Sequence, residues 1–334
     1  MSSRISIRRS LRPRTVGRDM IVGLVNNMPD GALRATERQF TELLELASAR
    51  CAERPTVRWF AIPEVPRGPV GLAHVHQHYE DVNRLLTDRV DGLIVTGAEP
   101  RAASLEDEPY WPTLVKLIDW AAANTLSSLW SCLAAHAAVY HLNGIVRRQL
   151  PEKLSGVFPC EQAGADPLLA GLPPRWGVPH SRLNDLPEDA LATAGYRVLS
   201  RLADGGVDMF SKRQPSLFVF MQGHPEYECG TLLREYQRDI ARYLHGERSS
   251  YPSMPRNYFD ETMIAKFEDL QERVLERRDP TLISALQPND ARAEPPRSWH
   301  EPAVQLYANW LSYIRSRRLE AMAGRSREPK TLVS

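Results

Sequence analysis

The chain of 334 residues has little lysine and almost no net charge. Lysine occurs five times against 37 arginines, a bias that we attribute to genome composition. The net charge of +1 argues against a general nucleic-acid binder, since such proteins need an excess of positive charge to neutralise phosphates. No apolar run approaches the ~20 residues that a membrane-spanning helix requires. We therefore expect neither nucleic acid nor a membrane as a partner.

Cysteine is also scarce, and no cofactor loop is present. The four cysteines, at positions 51, 132, 160 and 229, have irregular spacing and form neither a disulfide framework nor a CxxC metal motif. This usage fits a reducing cytoplasm, where a single cysteine can be present for its reactivity. No GxGxxG or P-loop spacing occurs, so nucleotide hydrolysis and hydride transfer lack their usual loops.

Three histidines alternate in His74-Val-His-Gln-His78. On a strand, this spacing would present three imidazoles to a zinc ion. No neighbouring cysteine or carboxylate completes such a set, and the residues after Tyr79 have a helical pattern. We therefore expect no metal site here.

Short apolar runs alternate with amphipathic stretches in the first half of the chain. Strands are predicted at residues 20–25, 57–62, 92–96 and 126–131, and helices at 34–47, 110–123 and 133–142. This alternation predicts right-handed βαβ units in an α/β fold with a doubly wound, mainly parallel sheet. After Gly144, short strands at 154–158, 196–200, 207–211 and 217–221 and a helix at 231–244 continue the sheet.

We divide the chain into one domain with additions at both ends. Residues 1–19 carry six arginines but no apolar segment of an export signal, so we expect a basic leader without fixed structure, or a true start at Met20. Residues 20–260 form the domain. Helices at 262–277 and 304–317 make residues 261–318 a C-terminal helical extension packed on that domain. The polar, proline-rich residues 279–296 are expected to wrap the surface, and 319–334 form a polar tail.

The strongest local signal surrounds Cys132. This cysteine stands where an apolar strand ends and a helix rich in small residues begins, which is the arrangement of a nucleophile elbow. A helix N-terminus stabilises a thiolate and offers backbone N–H groups to an oxyanion. The alternative is a buried structural cysteine, because cysteine is among the most buried residue types.

A second signal is the segment Gly223-His224-Pro-Glu226, which directly follows a predicted strand. A histidine at this place can take a proton from a thiol, and a carboxylate two residues later can orient the imidazole. Two strand ends with complementary chemistry in one α/β sheet favour a cysteine–histidine–glutamate site.

These residues belong to a series of segments that runs from about Met20 to Tyr313. In chain order, the series resembles the homoserine O-succinyltransferase/O-acetyltransferase family of methionine biosynthesis, which has the class I glutamine amidotransferase-like (flavodoxin-like) fold. The segments are Asn27-Met-Pro29, Thr36-Glu37 with Gln39-Phe40, Asp91-Gly-Leu-Ile-Val-Thr-Gly-Ala98, Tyr110-Trp111, Cys132, Lys153-Leu-Ser-Gly-Val157, Pro179-His-Ser-Arg182, Gly223-His-Pro-Glu-Tyr227, Arg238-Asp239, Asn257-Tyr-Phe259 and Asn309-Trp-Leu311.

The resemblance implies a ping-pong acyl transfer from acyl-CoA to L-homoserine. Cys132 would form an acyl-thioester, His224 would act as general base and acid, and Glu226 would orient His224. The backbone N–H of Leu133, with one near Gly97-Ala98, would form the oxyanion hole. No cofactor or metal is implied, because acyl-CoA is a co-substrate, and a cytoplasmic homodimer is the default expectation.

The resemblance also implies the residues that bind the substrates. Lys153, Ser181 and Arg238 would line the substrate pocket, and Arg238 suits the carboxylate of the amino acid because a guanidinium binds a carboxylate bidentately. Arg101 aligns with the family's acyl-specificity position, where an arginine could bind the free carboxylate of a succinyl group. A small shift of the alignment would instead place Glu99 there and favour acetyl. We expect a succinyltransferase.

Several departures from the family keep alternatives open. Leu133 and His136 replace the usual tryptophan and glutamine, and the loop after Pro29 is longer and lacks the family's lysines. Serine or another hydroxy amino acid is therefore an alternative acceptor. Two further alternatives are a glutaminase or amide hydrolase of the same fold and a non-catalytic ligand-binding relative.

Overall fold

The computed structural model describes residues 19–285 and 298–326. The strands of this part are β1 (Ile21–Val25), β2 (Thr56–Ala61), β3 (Glu80–Asp81), β4 (Gly92–Val95), β5 (Ser127–Ser131), β6 (Arg148–Gln162), β7 (Arg175–Asp185), β8 (Arg197–Leu202), β9 (Val207–Arg213) and β10 (Leu217–Met221). The helices are α1 (Asp30–Cys51), α2 (Pro69–His78), α3 (Val82–Leu85), α4 (Trp111–Asn124), α5 (Leu133–Asn143), α6 (Glu188–Thr193), α7 (Thr231–Leu244), α8 (Glu261–Glu276) and α9 (His300–Ser326).

The strands form one sheet in the order β3-β2-β1-β4-β5-β10-β9-β8-β6-β7. From β3 to β10, neighbouring strands are parallel, and from β10 to β7 they are antiparallel. The predicted α/β fold with a doubly wound, mainly parallel sheet is therefore confirmed. The carboxyl ends of the parallel strands lie along one edge, where ligands bind in open α/β sheets.

Both faces of the parallel half are covered by helices. Alternate side chains of β1 enter two different cores: Ile21 and Val25 pack with α4 and α5, whereas Val22 and Leu24 pack with α1 and α9. A strand that is buried on both faces has a continuous apolar sequence, and all five residues of β1 are buried.

Helix α9 closes one of these faces. Trp310 is buried, and its indole Nε1 donates a hydrogen bond to Ser127 Oγ on β5 at 2.9 Å. The helix approaches β4 so closely that a Cβ on Gly92 would lie 2.6 Å from Ile314 Cδ1 and 2.9 Å from Trp310 Cη2. The predicted helix at 304–317 was too short at both ends, since α9 extends to Ser326 within the expected tail.

Four elements were not predicted, namely β3, β7, α2 and α6. Strand β7 contains Pro179, which cannot donate to a ladder and therefore weakens the strand pattern; β7 is the last strand of the sheet, where proline is tolerated. Helix α2 contains the three histidines, and the region after Tyr79, predicted as helical, has only the short helix α3.

The expected leader lies outside the described residues, as does most of the proline-rich stretch after Asp279. Within the two described ranges, no helix has the length and apolar character needed to cross a membrane.

Replacing Trp310 tests how much α9 contributes to the fold. Trp310→Ala should lower the free energy of unfolding by about 3–5 kcal/mol, because it removes a large buried side chain and leaves a cavity above β4 and β5. Urea unfolding measures this change. The control is Leu319→Ala on the same helix, whose side chain is 57% exposed and should contribute less than about 0.5 kcal/mol. Equal losses in both variants would contradict this role of Trp310.

Candidate active site

Cys132 occupies a strained turn between β5 and α5. Its backbone has φ 51° and ψ −112°, a conformation that L-residues rarely adopt, and it is the N-cap of α5. Strain of this kind persists only where the surrounding structure enforces it, and it is common at active sites. The strand–turn–helix geometry predicted for a nucleophile elbow is present, and the half-buried Cys132 stands at the start of a helix.

The pairing of β5 with β10 brings Cys132 and His224 to the same edge. The strands are parallel and in register, with Ser131 opposite Met221, so the segments that follow the two strands leave the sheet at the same level. The backbone N–H of Cys132 donates to the carbonyl of Met221 at 2.7 Å, and His224 follows three residues later. The backbone N–H of His224 in turn donates to the carbonyl of Pro179 on β7 at 2.8 Å.

His224 links the thiol and Glu226. Its Nδ1 lies 2.8 Å from Glu226 Oε1, and Cys132 is close enough to act on it electrostatically. Burial alone would lower the pKa of His224, but the negative charges of Glu226 and Cys132 outweigh burial and raise the pKa well above its ordinary value. The imidazole therefore interacts with both the Cys132 sulfur and the carboxylate that orients it.

Tyr227 holds the ring of His224 from one side. The two rings are stacked, with centroids 4.3 Å apart and an interplanar angle of 17°. The Tyr227 hydroxyl donates to Glu235 Oε1 at 2.8 Å, which connects His224 to α7. The second oxygens of Glu226 and Glu235 are buried and have no hydrogen-bond partner among the described residues.

The residues predicted for the oxyanion hole lie at the start of α5. A Cβ on Gly97 would be 3.1 Å from the backbone nitrogen of Leu133, so only a glycine leaves space beside this N–H group. Leu133 is buried, and Ala98 packs against the core on the same side of the sheet. This arrangement leaves room for a carbonyl oxygen near the Leu133 N–H. The oxyanion role itself stays a prediction.

Two of the predicted substrate-binding residues meet at a buried carboxylate. Asp239 on α7 lies 2.8 Å from Lys153 Nζ, 3.3 Å from Arg248 Nη1 and 3.5 Å from Arg238 Nη2. Burial alone would raise the pKa of Asp239, but these cations outweigh burial and lower it. One carboxylate therefore stands among three cations, which gives this cluster a net positive charge.

Ser181 lies on β7 opposite Ser155 of β6, one residue after the buried His180. Ser155 is two residues after Lys153, so β6 and β7 carry the lysine and the serine into the same region. Lys153 and Arg238 thus meet at Asp239, and Ser181 lies two residues after Pro179, whose carbonyl accepts from the His224 N–H.

The two predicted specificity residues have different surroundings. The side chain of Arg101 is exposed and has no ion-pair partner in the described ranges. Its backbone N–H, like that of Ala102, donates to Glu108 Oε1, at 2.5 and 2.8 Å. Glu99 pairs with Arg242 of α7, with 2.9 Å between Oε1 and Nη1. The exposed arginine thus faces solvent, while the glutamate is neutralised.

A layer of buried polar side chains around Gln222 connects α5 with the segment that carries His224. Gln222 Nε2 donates to Asp185 Oδ1 at 2.9 Å and to the carbonyl of Val207 at 2.7 Å. Its Oε1 must therefore accept, and it lies 2.8 Å from His136 Nε2. Burial lowers the pKa of His136 to about 4, so this residue is a neutral N–H donor at physiological pH. The bond joins the first turn of α5 to the strand that delivers His224.

Three buried side chains beneath this layer have the composition of a metal site: Cys160, His180 and Asp208. However, His180 Nδ1 lies 3.2 Å from Arg182 Nε, which can only donate. The neutral ring therefore carries its proton on Nε2, which lies 3.3 Å from Asp208 Oδ1. A protonated Nε2 has no free electron pair for a metal, and it has no hydrogen-bond partner among the described residues, so the set in this tautomer does not fit a metal centre.

The alternating histidines do not lie on a strand. His74 and His78 stand one turn apart on α2 with ring centroids 4.6 Å apart, and His74 Nε2 lies 2.6 Å from Glu37 Oε1. The condition under which they would form a zinc site, a strand conformation, is therefore not met.

Several site residues were missed from the sequence. Arg147, after α5, is half-buried and acts electrostatically on Cys132, Tyr110 and Glu108; burial lowers its pKa. Arg248 and Arg242 were missed as well. Arg242 stands four residues after Arg238 on one helix face, and this spacing was the available signal.

Comparison with known proteins supports the motifs. A family model described as homoserine O-succinyltransferase matches residues 4–320. A homoserine O-succinyltransferase of Rhodopseudomonas palustris is 49% identical over 295 residues, which cover 88% of each chain. One of Bradyrhizobium japonicum is 48% identical over 296 residues and covers 89% of this chain and 90% of its own.

Solved structures give more distant matches. A glutamine amidotransferase from Methylobacillus flagellatus has a TM-score of 0.49 at 14% identity, and covers 89% of this chain and 96% of its own. A glutamine amidotransferase from Thermotoga maritima has a TM-score of 0.45 at 12% identity, and covers 89% and 99%.

The charge on Glu226 should control the titration of His224. In the wild type, the imidazole should titrate well above its ordinary value of 6.5, staying protonated at neutral pH and losing its proton only as the pH rises through the raised pKa. Glu226→Gln removes the largest charge that raises this pKa, so the titration should move to lower pH.

Nitrogen-15 NMR of protein labelled at its histidines measures the titration. The signal of His224 is assigned by its absence from the spectrum of His224→Asn. The control is Glu228→Gln, two residues away, whose carboxylate pairs with Arg38 and Arg234. A pKa of His224 that stays unchanged in Glu226→Gln would refute the proposed charge pairing.

Proposed function

Since the chain belongs to the homoserine O-succinyltransferase family, as its motifs indicated, we propose that it transfers the succinyl group of succinyl-CoA to the hydroxyl of L-homoserine. The observation that carries the mechanism is the placement of three residues: Cys132 stands at a strained helix N-terminus, His224 follows the neighbouring strand, and Glu226 is hydrogen-bonded to the imidazole of His224. The reaction is a ping-pong transfer through an acyl-thioester on Cys132.

In the first half-reaction, the Cys132 thiolate attacks the thioester carbon of the donor. The negative charge that develops on the carbonyl oxygen is stabilised by the N–H of Leu133 and by the segment at Gly97-Ala98. The carbon–sulfur bond to CoA breaks, and the His224 imidazolium gives its proton to the departing CoA sulfur. This half-reaction leaves a succinyl-cysteine and a neutral His224.

The second half-reaction uses the charge change at Cys132. The thiolate charge is one cause of the raised pKa of His224, and acylation removes it. The neutral imidazole then takes the proton of the homoserine hydroxyl, whose oxygen attacks the succinyl-cysteine. The product ester leaves, and the thiolate and imidazolium are restored, so that protons and electrons balance over the cycle.

The acceptor is a zwitterion, and α7 offers a group for each of its charges. Arg238 is the partner for the carboxylate. Glu235, three residues earlier, has a buried second oxygen without a partner among the described residues, which suits the ammonium group. The Tyr227 hydroxyl, bonded to Glu235, connects this acceptor site with the stacked ring of His224.

The proposal places the protein in methionine biosynthesis, in the cytoplasm, as a homodimer. The reaction needs acyl-CoA as a co-substrate and no bound cofactor or metal, because all proton transfers are made by His224.

Intact mass measurement tests the function directly. Wild-type protein mixed with succinyl-CoA, without acceptor, should gain the mass of one succinyl group, because no alcohol is present to release it. Cys132→Ala should gain nothing, whereas Cys51→Ala, the control, should gain the same mass as the wild type. Homoserine added to the acylated protein should remove the adduct.

Each other outcome favours a rival. An adduct with acetyl-CoA alone would make the protein an acetyltransferase, and release by serine but not by homoserine would change the acceptor. No adduct with either donor would overturn the transferase proposal. Ammonia release from glutamine would then indicate an amide hydrolase, and unchanged behaviour of Cys132→Ala would indicate a non-catalytic relative.

A further inference from the structure

The ion pair between Glu99 and Arg242 lies next to the candidate oxyanion segment. Glu99 is two residues after Gly97, so their Cα atoms are at most about 7 Å apart. Gly97 itself lies against the backbone nitrogen of Leu133. The carboxylate of Glu99 is therefore attached to the short segment that would pass beside the acyl group.

A carboxylate at this place repels a donor whose acyl chain ends in a carboxylate. The succinyl chain has four carbons, and one end would be held at Cys132, so its free carboxylate remains within a few ångströms of the oxyanion segment. Like charges this close disfavour binding unless one of them is neutralised. Acetyl has no such charge and would not be affected.

Arg242 provides this neutralisation. Its Nη1 lies 2.9 Å from Glu99 Oε1, and the two side chains are 35% and 45% exposed. Two other acids, Asp239 and Glu247, act on Arg242 electrostatically, but only Glu99 forms an ion pair with it among the described residues. Asp239 is already held by Lys153, Arg238 and Arg248. A guanidinium has five N–H donors, which leaves donors for a second carboxylate.

We propose that Arg242 is a specificity-determining residue: it cancels the charge of Glu99 beside the acyl group and so permits a donor with a free terminal carboxylate. This inference rests on the proposed function, since it concerns the choice of acyl donor by the same site. It assigns to Arg242 the role that the alignment gave to Arg101, whose side chain faces solvent.

A double-mutant cycle tests the inference, with the rate of Cys132 acylation measured separately for succinyl-CoA and acetyl-CoA. Arg242→Ala should slow acylation by succinyl-CoA about tenfold, a moderate effect because both groups are partly exposed, and should leave acetyl-CoA nearly unchanged. Glu99→Gln in the Arg242→Ala background should restore the rate with succinyl-CoA, because no uncompensated charge remains.

The control is Arg50→Ala, which breaks a comparable ion pair with Glu301, 2.7 Å long, between α1 and α9. It should change neither rate. The acetyl-CoA rate of each variant shows that the protein is folded and that the thiol is active.

Three results would overturn the inference: an equal loss with both donors in Arg242→Ala, no recovery in the double variant, or a selective loss in Arg101→Ala with unchanged discrimination in Arg242→Ala. Failure of the proposed function gives a different result, namely no acylation of the wild type by either donor.

Discussion

The register between β5 and β10 is the constraint on which the site depends. Because the two strands are parallel and end at the same level, a nucleophile after one and a base after the other must be neighbours. The hydrogen bond from the Cys132 N–H to the Met221 carbonyl fixes the turn at a residue with a strained backbone. A slip of two residues would separate the thiol from the imidazole by about 7 Å, although every apolar side chain would remain on its own face.

Buried polar groups are costly unless they are paired, and the site rests on many of them. The donors and acceptors around Gln222 determine one another: its amide N–H groups have fixed acceptors, its oxygen must accept, and His136 must be a donor. The same logic fixes the tautomer of His180 through Arg182. The direction of each hydrogen bond depends on that of its neighbour, so these buried polar groups hold α5 and the turn that carries His224 in one arrangement.

Local patterns predicted most of this fold and the centre of the site. The apolar run of β1 and the small residues after Cys132 are each a short continuous segment of the sequence. The structure has the strand and the helix start that these segments predict. Strand β7 was not predicted because it contains Pro179. A strand at the edge of a sheet tolerates proline, which disfavours strands elsewhere. The ion pair between Glu99 and Arg242 joins residues that are far apart in the chain. A local sequence pattern does not indicate which of the many arginines forms an ion pair with a given glutamate. The same holds for Arg147 and for the three cations around Asp239.

The contact between Gly92 and α9 has a consequence for how the sequence can change over time. Residue 92 has no room for a methyl group while Trp310 and Ile314 stand above it, and a smaller residue at 310 would leave a void while 92 remains glycine. A substitution at either position alone is destabilising, so two positions more than two hundred residues apart are expected to change together. A lineage that exchanges the tryptophan first passes through a weakened protein, and one that exchanges the glycine first passes through an overcrowded one.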